Sequence, residues 1–108
     1  MKITAIELSS VEIIAIFDML TKKFNTEDTR QTVEFEQKFI TSYGEELTFD
    51  IESVLELYTE YPEKDENNQT AISSRSVVKF SITFFYDGEE IAVNVDGITE
   101  AINKYYEI

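Results

Sequence analysis

From residue 47 to residue 61 the chain alternates. The odd positions read Leu47, Phe49, Ile51, Ser53, Leu55, Leu57, Thr59 and Tyr61, and the even positions between them read Thr48, Asp50, Glu52, Val54, Glu56, Tyr58 and Glu60. A period of two describes a strand with one face on a core and the other in water, because successive side chains leave a strand on opposite sides. The water-facing side here is acidic. A helix over residues 50–60 competes, since Ile51, Val54, Leu55 and Tyr58 would share its apolar side. In either conformation the acids align. A strand projects Asp50, Glu52, Glu56 and Glu60 from one face, and a helix still stacks Glu52, Glu56 and Glu60 four apart along one stripe.

The flanking segments supply partners for such a strand. Residues 2–8 alternate as a short strand. Ser9 with Glu12 three residues later forms a capping box, after which Ile13, Phe17, Leu20 and Phe24 recur at helical spacing through Lys22 and Lys23. Residues 25–30 are polar and connect to a second strand, with Val33, Phe35 and Phe39 on one side and Glu34, Glu36 and Lys38 on the other. Gly44 centres a turn. After the only proline, Pro62, residues 63–74 have almost no apolar content and read as an exposed loop. Beyond it, Val78, Phe80, Ile82 and Phe84 line one face of a hairpin, Asp87-Gly88 makes its turn, and Ile91, Val93 and Val95 return. Asp96 is placed to cap a short final helix carrying Ile98, Ala101, Ile102 and Tyr105 on one side. The expected fold is one small α+β domain: an antiparallel sheet of about five strands, with an N-terminal-region helix and a C-terminal helix packed on one face. An antiparallel sheet covered on one side leaves the other open.

Composition narrows the chemistry. Eight Phe and six Tyr among 108 residues are too much core-forming material for a disordered acidic tail. Cysteine and histidine are both absent, which removes thiolate chemistry, cysteine zinc sites and the commonest general base. Glu7 and Glu12 interrupt the apolar run a signal peptide requires, and no segment approaches membrane-spanning length, so a cytoplasmic protein is expected.

The formal charge is −13, and its distribution is uneven. Residues 1–40 nearly balance, with seven acids and five bases, whereas residues 45–66 alone hold nine acids and one base, Lys64. Adjacent like charges on a strand or helix face repel, and a field of this density is suited to a cationic partner. The expected contact surface is Asp50, Glu52, Glu56 and Glu60, assisted by the loop acids Glu63, Asp65 and Glu66. Its expected partner is a basic protein surface of the kind that binds nucleic acid. Nucleic acid itself would be repelled. In size and charge the chain resembles the small acidic proteins with which phages and mobile elements disable host nucleic-acid enzymes, including DNA-mimic anti-restriction proteins and several anti-CRISPR proteins. That likeness implies a non-enzymatic inhibitor acting by charge mimicry. It is one of charge and size alone and transfers no residue. Immunity or antitoxin proteins that neutralise a basic toxin share the profile, and a homo-oligomeric structural module is a third reading.

Other signals fail on inspection. Asp65, Asn67 and Gln69 are spaced like the first ligands of a calcium loop, but Thr70 and Ser76 stand where that loop requires glycine and glutamate. Gly44, Gly88 and Gly97 lie apart, so there is no phosphate-cradling loop. No nucleophile motif supports an enzyme, and neither cofactor nor metal is expected.

Overall fold

The computed structural model describes residues 5–26, 29–40, 43–60 and 74–107. In chain order the elements are β1 (Ala5–Ile6), α1 (Ser10–Lys23), β2 (Arg30–Ile40), β3 (Glu46–Glu60), β4 (Ser74–Tyr86), β5 (Glu89–Val93) and α2 (Asp96–Tyr106). The strands form one sheet ordered β1-β5-β4-β3-β2. β2, β3, β4 and β5 pair antiparallel, and β1 joins β5 in parallel, so the sheet is mixed rather than wholly antiparallel. The reason is topological. α1 carries the chain from one edge of the sheet to the other between β1 and β2, and only a returning hairpin forces antiparallel pairing.

Each secure local signal has its element. Ser9 accepts the Glu12 backbone N–H while the Glu12 carboxylate accepts the Ser9 N–H, which satisfies two N–H groups that have no partner within the helix. Asp87 and Gly88 both have positive φ, 54° and 81°, as a two-residue turn matched to the right-handed strand twist requires. Residues 50–60 are strand, and the competing helix does not form. Paired on both sides, by β2 and β4, β3 buries Phe49, Ile51, Ser53, Leu55 and Leu57 on the core side. Ser53, a hydroxyl among apolar positions, is fully buried and donates to the Ser81 carbonyl at 2.8 Å, which offsets its desolvation.

Both helices lie on that same side. Ile16, Leu20 and Phe24 from α1 and its C-cap, and Ile98, Ile102 and Tyr106 from α2, close over Phe39, Phe84, Ile91 and the β3 residues. Gln31 at the start of β2 bonds to Asn25 just beyond α1, which ties the helix end to the strand.

Three details differ from the sequence reading. Asp96 is the first residue of α2 rather than its cap. Val95 holds the cap position with no side-chain bond, and the Asp96 N–H donates to Asn94 Oδ1 at 3.0 Å. Tyr106, not Tyr105, is the buried tyrosine; Tyr105 is 55% exposed and meets Phe17 edge-on at 5.6 Å. Finally, Val78 does not face the core. The β3–β4 register shifts between Glu56 and Leu57, so Lys79 opposes Glu56 and Val77 opposes Leu57, leaving Val78 as the extra, exposed residue of a bulge. Val78→Asp is therefore expected to change unfolding free energy by no more than about 0.5 kcal/mol, and Val77→Asp to cost several times that. Paired denaturant titrations check this. Equal costs would remove the bulge.

Candidate functional site

With both helices on one side, the other face of the sheet is open, and its side chains are the even residues of β2 and β3 and their register partners. Reading across strands, one row runs Glu36, Asp50, Phe85, Glu90 and the next runs Glu34, Glu52, Thr83. Directly opposed residues have Cβ atoms about 5 Å apart, so Glu34 faces Glu52 and Glu36 faces Asp50 as like-charge pairs. Among the described residues none of these four carboxylates has a cation at ion-pair distance. Each pair costs a few tenths of a kcal/mol in isolation. The half-buried ring of Phe85 lies between Asp50 and Glu90 in the row. Glu34, Glu36, Asp50, Glu52, Phe85 and Gly88 line a shallow depression of about 460 Å³.

This redraws the expected column. Asp50, Glu52 and Glu60 are exposed on the open face, as the alternation requires. Glu56 shares that face but is only half-exposed, and Arg30 and Lys79 stand opposite it on the two neighbouring strands. A neutral row of Thr32, Val54 and Ser81 separates it from Glu52. The column is thus divided. Its upper part, Asp50 and Glu52, belongs to a two-dimensional acidic patch, while Glu56 stands in register between two basic positions and Glu60 accepts from the Ser74 hydroxyl at 3.4 Å. Glu63, Asp65 and Glu66 lie outside the described residues.

Glu34, Glu36 and Glu90 were missing from the expected surface. The period of two already put Glu34 and Glu36 on the polar side of their strand. What joins them to Asp50 and Glu52 is hairpin register about the Gly44 turn, where Ile40 opposes Glu46. That turn was visible in the sequence, so the register was within reach.

No three carboxylates among the described residues converge closely enough to hold a metal ion. The patch is spread over a surface, and a surface of fixed negative charge with one aromatic ring suits guanidinium or ammonium groups, which pair with carboxylates and lie against ring faces. No described helix is long and apolar enough to cross a membrane. No family model, curated protein or solved structure matches the chain.

Proposed function

We propose that this chain is a non-enzymatic binding protein that inhibits a nucleic-acid-binding protein by occupying its basic surface with the open sheet face. The observation that carries the reading is the two pairs of opposed carboxylates, Glu34 with Glu52 and Glu36 with Asp50, which have no cation at ion-pair distance among the described residues. A folded chain tolerates such repulsion at a local cost, and a cationic partner relieves it on binding. Along β3, Asp50 and Glu52 are about 6.6 Å apart, a spacing of the same order as successive phosphates on a nucleic-acid strand. A groove lined by Lys and Arg can accept either. Phe85 adds a surface for a guanidinium to stack on. Inhibition is steric and electrostatic, and the phage or mobile-element setting follows from the resemblance in size and charge.

The test neutralises the patch in place. The variant Glu34→Gln, Glu36→Gln, Asp50→Asn, Glu52→Gln keeps shape and polarity, removes both opposed pairs, and is expected to fold with unchanged or slightly raised stability. Binding to immobilised poly-arginine, and to a target recovered by pull-down from the native host, is expected to weaken at least tenfold. Contacted charges cost about 2 kcal/mol or more each when a partner is left unpaired. The wild-type association rate should fall steeply with added salt. Glu7→Gln, Asp18→Asn, Glu107→Gln is the control, away from the open face; Glu12 is avoided because its carboxylate belongs to the α1 capping box. Equal losses from both variants would reduce the site to bulk charge.

A further inference from the structure

We infer that the outer edge of β2 pairs antiparallel with the same edge of a second copy of this chain, joining two five-stranded sheets into one. The sheet has two edges, β1 with two residues and β2 with 11. Alternate residues of β2 direct their N–H and C=O groups away from β3, and no described strand lies on that side. Soluble proteins ordinarily blunt such an edge with brevity, charged side chains, proline, a bulge or an inward charge. Of these β2 has only charged side chains, Arg30, Glu34, Glu36 and Lys38, all on its open-face side. Its register with β3 is unbroken from Arg30 to Ile40, and its core-side residues Val33, Phe35, Gln37 and Phe39 are uncharged. Beside its end, Val11 is 76% and Ile40 74% exposed, and with Ala15 and Gln37 they line a groove of about 430 Å³ between α1 and the strand.

Charge on the open face selects the register. Arg30, Glu34, Glu36 and Lys38 carry both signs, so a two-fold pairing can match or clash. Pairings centred on residues 34, 35 or 36 each set Glu against Glu, and a centre at Lys38 sets it against itself. Those centred on Val33 or Gln37 pair a long stretch with no like charges opposed. Only the Gln37 centre lies at this groove, beside the exposed Val11 and Ile40. There, Glu36 faces Lys38 of the second copy and the reverse, Phe35 faces Phe39, and Gln37 faces itself. A two-fold axis normal to the sheet leaves both acidic patches on the same side of the joined sheet. The inference shares Glu34 and Glu36 with the acidic patch but does not rest on the proposed function, since it is argued from the free strand edge and read out as self-association.

Sedimentation equilibrium of the full chain tests it. Two chains of charge −13 repel, so dimerisation is expected to strengthen as simple salt is added at constant protein concentration. Lys38→Glu should weaken the dimer at least tenfold by opposing acids across the axis. Adding Glu36→Lys should restore it, whereas adding Asp18→Lys, which gives the same net charge, should not. The chain has no cysteine, so Gln37→Cys should oxidise to a disulfide-linked dimer while Thr32→Cys stays largely monomeric. A chain monomeric at every salt concentration would overturn the inference, as would cross-linking at 32 in preference to 37 or failure of the charge exchange to rescue.

Discussion

Phe49→Ala is expected to lower the unfolding free energy by about 3 to 5 kcal/mol, a large share of the roughly 5 to 15 kcal/mol that holds a small domain together. Phe49 is fully buried on the interior strand β3, with the rings of Phe39 on β2 and Tyr86 on β4 tilted against it at 5.1 and 5.3 Å. One ring therefore joins three strands. Removing it takes away the transfer term and leaves a cavity that a sheet cannot easily close, because the strand spacing is set by backbone hydrogen bonds. Phe85→Ala is the comparison. That ring is half-buried on the open face, with acids beside it and no described helix above, and its loss is expected to cost less than half as much. Urea titrations followed by circular dichroism measure both. A cost at Phe85 matching that at Phe49 would mean that the open face is a second core.

The second large effect is alkaline. Tyr106 is 1% exposed, its hydroxyl has no hydrogen-bond partner among the described residues, and its pKa is pushed up from 10.0 to about 12, first by burial and then by the neighbouring Tyr105 hydroxyl, against a smaller lowering by Arg75. The folded state thus holds a proton that the unfolded chain releases near pH 10. Stability associated with this group is fully present below pH 10 and is lost as pH rises towards about 12, by roughly 2 to 3 kcal/mol over that window. Tyr106→Phe should flatten the decline. At neutral pH the same substitution removes a buried hydroxyl without a partner and is expected to stabilise by about 1 kcal/mol. Unfolding free energies at stepped pH, with tyrosinate absorbance recorded on the native state, test both signs. A Phe variant less stable at neutral pH would show that the hydroxyl is satisfied in solution. The Arg75 Nε–H bond to the Tyr106 carbonyl, 2.6 Å, is a backbone contact and survives the change.

The parts of this protein that were legible in the sequence are those whose cause is local. The capping box at Ser9, the helical spacing of Ile13, Phe17, Leu20 and Phe24, the Asp87-Gly88 turn with both residues at positive φ, and the separation of acidic from apolar positions along β3 each depend on a few neighbouring residues, and each stands in the structure, although the fully buried positions of α1 are Ile16 and Leu20 while Ile13 and Phe17 are only partly covered. Fold class followed from their order. Residues 50–60 stayed open between helix and strand because acids two and four apart satisfy both periods; hydrogen bonding from β2 and β4 on either side decided for strand. Tertiary structure also decided which valine enters the core, since a bulge shifts the pattern by one residue and the period alone would have chosen Val78. It put Tyr106 inside instead of Tyr105 through the placement of α2 against β4 and α1, set β1 parallel to β5, and left β2 as the long free edge. The site divides the same way. That Asp50, Glu52, Glu56 and Glu60 share a face was a matter of parity along one strand. That Glu34 and Glu36 meet Asp50 and Glu52 while Arg30 and Lys79 stand opposite Glu56 depends on register between strands, and pairing energies between distant residues, not the order of residues within one segment, determine it.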